Sequence, residues 1–183
     1  MAVIPTGRVL LNAKALLTKA GLSLGMTYAD FGAGALGHFV LPATEMVGRE
    51  GTVYAVDILK SVLQAIGSRA RMEGANNLKT VWGNIEKMRG VKISDHSVDL
   101  LSCVNIVNLL DKSAGVISEI SRVLKPGGLL LLVDWQRAGA SFGPPLERRS
   151  HPEAVKAKLQ QAGFVPLDFF EAGPNHWGML LKK

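Results

Sequence analysis

The stretch from Met26 to Gly37, Met-Thr-Tyr-Ala-Asp-Phe-Gly-Ala-Gly-Ala-Leu-Gly, constrains the fold of this chain more than any other. It reads as a strand that runs into a glycine-rich turn and then opens a helix. Gly32, Gly34 and Gly37 have no Cβ and accept positive φ, so the main chain can turn sharply and a ligand can approach it closely. The first N–H groups of the following helix point back at the turn and suit a polar or anionic group. The spacing is Gly-x-Gly-x-x-Gly. An acid, Asp57, stands twenty residues beyond the third glycine, where a ribose-binding carboxylate is expected.

The remaining pattern extends this unit. Residues 8–20 place Val9, Leu10, Ala13, Leu16, Leu17 and Ala20 on one helical face, with Gly21 as a stop. The pattern predicts a first strand over Tyr28–Phe31 and a helix over 35–47, with Pro42 near its first turns. Thr52–Asp57 is predicted as the second strand: Val53, Tyr54, Ala55 and Val56 form a near-continuous apolar run, as expected of a strand covered on both faces. A helix is predicted over Leu59–Met72, then strands over Leu78–Trp82 and Val98–Cys103, with Gly83–Ile93 showing no regular period. A helix over 113–124 carries a stripe of Val116, Ile117, Ile120, Val123 and Leu124. Lys125-Pro-Gly-Gly128 is read as its stop and as a turn into a fifth strand, Leu129–Trp135. Gln136–Arg149 is a loop, and Ser150-His-Pro-Glu153 has the form of a capping box for a helix that ends at Gly163. Phe164–Glu171 and His176–Lys182, joined by Ala172-Gly-Pro-Asn175, read as an antiparallel hairpin. Strands alternating with helices imply a parallel sheet with helices on both faces.

A chain of 183 residues with 48% hydrophobic residues is expected to form one ordered domain. Its longest aliphatic run, Leu129–Val133, is far too short to span a bilayer. Its first eight residues lack the regions of a signal peptide. The single cysteine, Cys103, excludes an internal disulfide and a cysteine-based zinc cage, and no metal site is expected. A cytoplasmic location follows as the expectation. The net charge of +6 suits RNA or an acidic partner, although no long basic run accompanies it.

Two large classes use such a glycine turn: nicotinamide or flavin enzymes, and S-adenosylmethionine enzymes. Asp30, two residues before Gly32, would repel a pyrophosphate but could bind the ammonium of a methionine moiety, directly or through water. The sheet also ends in a hairpin soon after the fifth strand, and Glu119–Gly128 has no role in nicotinamide binding. Four stretches, Ala29-Asp-Phe-Gly-Ala-Gly34, Val53-Tyr-Ala-Val-Asp57, Ser97-Val-Asp-Leu-Leu101 and Arg122-Val-Leu-Lys-Pro-Gly-Gly128, together resemble the class I S-adenosylmethionine-dependent methyltransferases. The chain is most similar to the small type 11 group related to the ubiquinone/menaquinone-biosynthesis C-methyltransferases, from Gly25 to the end.

The resemblance implies an α/β fold, a Rossmann-like three-layer αβα sandwich. Its seven-stranded, mostly parallel sheet would have the order 3-2-1-4-5-7-6, with strand 7 antiparallel. It implies one methyltransferase domain over 1–183, an N-terminal helix within 1–24 packing over the cofactor site, and S-adenosyl-L-methionine as cofactor. Asp30, Gly32, Ala33 and Gly34 resemble the loop that holds the methionine part. Asp57 resembles the acid that accepts hydrogen bonds from both ribose hydroxyls, and Ile58 would lie along the adenine. Asn84, followed by Ile85, stands where the family often has an aspartate near the adenine amine; asparagine keeps an acceptor there. Cys103 would lie near the methyl donor. Ala33 and Ala35 depart from the family, which often has cysteine at the first and serine or threonine at the second.

Methyl transfer from a sulfonium is an in-line displacement in which the protein mainly aligns the nucleophile. No fixed catalytic residue follows from the fold. Ligands of open α/β sheets bind at the carboxyl ends of the strands, which makes His38, Asn105, Asn108, Asp134, Trp135, His151 and His176 the acceptor-side candidates. Asn105 and Asn108 do not form the Asn/Asp-Pro-Pro-Tyr/Phe motif of amino methylation. With no inserted cap domain, the acceptor pocket would be built from the N-terminal helix, the 105–113 loop and the 136–150 loop. The leading expectation is a small-molecule acceptor, such as a quinone-like ring. An RNA or protein acceptor, and a cofactor-binding module without turnover, stay open beside it. Arsenic chemistry leans on several cysteines, against the one present here.

Overall fold

The computed structural model describes residues 11–137 and 143–183. In chain order these contain α1 (Ala13–Lys19), β1 (Thr27–Phe31), α2 (Val40–Val47), β2 (Thr52–Asp57), α3 (Lys60–Met72), β3 (Leu78–Trp82), β4 (Val98–Val104), α4 (Asn108–Lys112) and α5 (Ala114–Val123). There follow β5 (Leu124–Trp135), a single 3-10 turn (Leu146–Arg148), α6 (Pro152–Gln161), β6 (Val165–Gly173) and β7 (His176–Lys182).

The seven strands form one sheet in the order β3-β2-β1-β4-β5-β7-β6. The pairs from β3 to β5 are parallel, and β7 runs antiparallel to both β5 and β6. The expected topology and terminal hairpin are therefore both present.

The run Leu130–Val133 shows why the sheet sits in the middle. All four side chains are fully buried although neighbours point to opposite faces. Leu130 and Leu132 join Val116 and Ile120 of α5 and Val155 and Leu159 of α6. Leu131 and Val133 join Leu17 of α1, Val40 and Ala43 of α2, and Ile66 of α3. Helices thus cover both faces, the three-layer arrangement, and each buried leucine contributes about 1.5–3 kcal/mol.

Four local expectations are corrected. The second helix starts at Val40, not at residue 35, because Gly37 holds φ +59°, outside the helical region, and its N–H bonds Gly34 O across a turn. Pro42 is consequently in the first turn, where its missing N–H costs little. Lys125-Pro-Gly-Gly128 does not turn the chain. It lies inside β5 as a bulge, between the pairs Val98–Leu124 and Leu100–Leu129. Ser150 does not cap α6. Its hydroxyl donates to Asp134 Oδ2 (3.0 Å), and His151 is the N-cap residue with no side-chain capping bond. The 105–113 segment, expected as a loop, contains α4.

Of the N-terminal helix expected over 8–20, residues 8–10 lie outside the described residues. So does part of the 136–150 loop, at 138–142. Within α1, Asn12 Oδ1 accepts Ala15 N–H (3.0 Å), and Leu16 and Leu17 are buried. No helix among the described residues is long and apolar enough to cross a membrane.

Candidate active site at the strand tips

The glycine turn is built as its sequence requires. Gly32, Gly34 and Gly37 have φ of +75°, +64° and +59°. The Gly32 and Ala33 amides bond Val56 O (2.9 and 3.1 Å), which ties the turn to the tip of β2. A Cβ on Gly32 would come within 3.0 Å of the Ile106 side chain, so this position is closed to larger residues. A Cβ on Gly34 would meet nothing within 4 Å, so the backbone there faces open space.

Asp30 and Asp57 flank this turn from neighbouring strands. The half-buried Asp57 carboxylate accepts the Leu59 N–H at 2.9 Å and the Gly34 N–H at 3.4 Å. Asp30 is 2% exposed. It accepts the Ser102 hydroxyl (2.5 Å), which also bonds the Tyr28 hydroxyl (2.5 Å). Burial pushes the Asp30 carboxyl up to about 7; the Ser102 bond offsets part of this and the Asp57 charge adds to it. Among the described residues no basic side chain forms an ion pair with Asp30. A buried carboxylate without a cation is costly, and a ligand ammonium is the kind of partner that would stabilise it. Together with the open backbone at Gly34, this residue set fits an aminoacyl nucleoside such as S-adenosylmethionine. Sequence reading missed Ser102 and Tyr28. Their pairing with Asp30 spans more than seventy residues and arises from the β1–β4 register, Asp30 opposite Ser102.

The other expected cofactor residues lie around the same tips. Ile58 is 53% exposed, beside Leu59 at 57%. Asn84 Oδ1 accepts the Glu86 N–H (2.9 Å), and Ile85 is buried in the core. Cys103 is fully buried and belongs to the core cluster on the α5–α6 side, whereas Tyr28 and Leu100, on the face that carries Asp30 and Ser102, pack on the α1–α3 side. Burial and the Asp30 charge push its thiol well above the usual range.

The aperiodic 83–97 segment takes its shape from side chains of α5. Glu119, fully buried, accepts the Arg89 and Val91 N–H groups (2.8 and 3.1 Å). Arg122 grips Glu119 through Nε and Nη2 (2.8 and 2.7 Å) and donates to Ile93 O, Val91 O and Asp95. Burial opposes the charge on Glu119, but Arg122 and the two amides outweigh it and hold the carboxyl below its usual range.

The acceptor-side candidates divide. His38 precedes α2, and its Nε2 bonds Leu11 O (2.9 Å) beside a groove of about 720 Å³ that Leu36 and Arg69 also line. Asn105 caps β4 with φ +59° and is exposed; Asn108 opens α4. His151 is exposed at the start of α6. Asp134 is buried and accepts the Trp135 N–H (2.7 Å) and the Ser150 hydroxyl; burial raises its carboxyl above the usual range. His176 pairs with Trp135 across β5–β7, their rings 4.3 Å apart.

Neither ring nitrogen of His176 has a hydrogen-bond partner among the described residues, and the side chain is 1% exposed. Burial, then the Arg149 charge, lowers its pKa to about 4. The unfolded chain therefore takes up a proton near pH 6.5 that the folded chain resists until about pH 4. Stability is unaffected above pH 6.5 and falls as pH drops through that window, by up to about 3 kcal/mol. His176→Phe keeps the ring contact, removes the unpaired nitrogens, and is expected to flatten that acid limb. Urea unfolding at pH 7 and pH 4.5 measures it; equal acid sensitivity in both proteins would refute the assignment.

Residues 22–165 match the methyltransferase-domain family. The ubiquinone/menaquinone biosynthesis C-methyltransferase UbiE of Shewanella piezotolerans is 31% identical over 123 residues, which cover 66% of this chain and 47% of that protein. An arsenite methyltransferase of Halobacterium salinarum is 29% identical over 160 residues, 81% of this chain and 40% of that protein. The chain thus spans less than half the length of these curated relatives. The crystal structure of a SAM-dependent methyltransferase from Aquifex aeolicus matches at a TM-score of 0.89 with 26% identity, over 98% of this chain and 93% of that one. These likenesses decide between the two classes that the glycine turn left open: the chain belongs to the methyltransferase-domain family and shares its fold with the SAM-dependent methyltransferase of Aquifex aeolicus.

Proposed function

We propose that this protein transfers the methyl group of S-adenosyl-L-methionine to a small-molecule acceptor, with a quinone-like ring as the leading candidate. The observation that carries the reading is the pair of carboxylates at adjacent strand tips, Asp30 buried without a cation among the described residues and Asp57 half-buried, joined by one glycine turn. In this reading Asp30 holds the ammonium and the Gly32–Ala33–Gly34 backbone lies along the methionine part. Asp57 accepts the ribose hydroxyls, Ile58 lies along the adenine, and Asn84 and Ile85 border its edge. Cys103 packs beneath the site. The cofactor brings its own electrophile, so the chain's task is to hold donor and acceptor in line and to exclude water.

Isothermal titration with S-adenosylhomocysteine tests the binding half. Asp57→Ala removes two charge-assisted hydrogen bonds and is expected to weaken binding about 100-fold or more. No binding by the unaltered chain at millimolar ligand would end the reading. The net charge of +6 favours a polyanionic acceptor as the second reading. RNA binding that weakens steeply with salt would select it.

A further inference from the structure

Trp82 ends β3, the edge strand beside β2, and is 55% exposed. A half-exposed indole at a sheet edge gains little from packing, yet this one is fixed by two contacts. Its Nε1–H donates to Ile58 O at 2.9 Å, and Lys60 Nζ stands 5.5 Å from the ring centroid. The carbonyl of Ile58 and the N–H of Leu59 belong to one peptide plane. That same Leu59 N–H donates to Asp57 Oδ1 at 2.9 Å. One rigid plane therefore links the indole on one side to the carboxylate on the other.

The adjacent peptides are held by other bonds, Gly83 N–H to Asp57 O (3.3 Å) and the Val62 and Leu63 N–H groups to Leu59 O (3.1 and 3.3 Å), but none of these reaches the Ile58–Leu59 peptide itself. Leu59 is the N-cap residue of α3, with extended φ and ψ and no side-chain capping bond. Rotation about the bonds flanking the plane would swing the Leu59 N–H away from Asp57 and move the exposed Ile58 side chain with it. An indole donor clamping the far end removes that freedom before any ligand arrives.

We propose that Trp82 is a positioning residue of the adenosine subsite, holding the Ile58–Leu59 peptide and through it the Asp57 carboxylate. The proposal rests on the reading in which Asp57 accepts the ribose hydroxyls. Trp82 touches no part of the ligand in this scheme. It acts by keeping the carboxylate in the orientation that two hydroxyls require.

Trp82→Phe keeps a ring beside Lys60 and removes only the N–H. Because the residue is half-exposed, the variant is expected to unfold thermally within a few degrees of the unaltered chain. Its affinity for S-adenosylhomocysteine is expected to fall roughly two- to thirteenfold by titration calorimetry, the range for one lost hydrogen bond. Combined with Asp57→Asn, the two losses should not multiply, because Trp82 acts through Asp57. In the ligand-free chain, hydrogen exchange at the Leu59 amide should accelerate in Trp82→Phe. Unchanged affinity, multiplying losses, or unchanged Leu59 exchange would each overturn the proposal. If the unaltered chain binds no S-adenosylhomocysteine, the functional reading fails and the positioning role fails with it, while Leu59 exchange still reports whether the clamp exists.

Discussion

Arg122→Leu is expected to destabilise the fold by about 3–5 kcal/mol, the cost of leaving a buried charge without its partner. The guanidinium, its side chain 5% exposed, makes five hydrogen bonds to two carboxylates and two main-chain carbonyls. Its loss would strand the fully buried Glu119 carboxylate with only the Arg89 and Val91 amides. Replacing both partners, Arg122→Leu with Glu119→Leu, should recover part of the loss, because the stranded charge is then absent. The same clamp shapes the segment that carries Asn84 and Ile85, so the single variant should also bind S-adenosylhomocysteine more weakly at temperatures where it remains folded. Urea unfolding monitored by circular dichroism measures the first effect. A loss below about 1 kcal/mol would show that the network is not the support described.

Cofactor affinity is expected to fall about tenfold between pH 8 and pH 6. The ligand-free Asp30 carboxyl is held up to about 7 chiefly by burial, and an ammonium ligand selects its ionised form, so each proton regained below that pKa must be released on binding. The effect on the ligand-free fold runs the other way. A carboxyl with a raised folded pKa favours the folded state at low pH, and that contribution is lost as pH rises through about 7. Asp30→Asn keeps an acceptor for Ser102 and cannot ionise. At pH 8 it should stabilise the ligand-free chain by at most about 4 kcal/mol, weaken S-adenosylhomocysteine binding at least tenfold, and remove its pH dependence between 6 and 8. The two effects of opposite sign separate a ligand-binding acid from a structural one. A pH-independent affinity in the unaltered chain would refute the role.

The elements that could be read from the chain alone are those whose signal is local. The apolar run Val53–Val56, the helical stripe of Val116, Ile117, Ile120 and Val123, and the spacing of three glycines each state their structure within a few residues. The misreadings have the opposite origin. Lys125-Pro-Gly-Gly128 has the composition of a turn, but pairing with β4 on one side and contacts with Lys183 on the other draw it into β5 as a bulge. Ser150 has the spacing of a cap, but the Asp134 carboxylate competes for its hydroxyl from sixteen residues away.

Backbone preference and side-chain period act over short distances, so the alternation of strand and helix, the terminal hairpin, and the acid–glycine–acid series Asp30, Gly32, Gly34 and Asp57 are written along the chain. What those acids experience depends on the folded neighbours that surround them. Register sets Ser102 and Tyr28 against Asp30, sheet order sets Trp82 against Ile58, and packing of α5 sets Glu119 and Arg122 beneath the 83–97 segment. Desolvation and hydrogen-bond geometry depend on residues brought together from distant parts of the chain, so the charge state and orientation of the site come into being only when the sheet has closed.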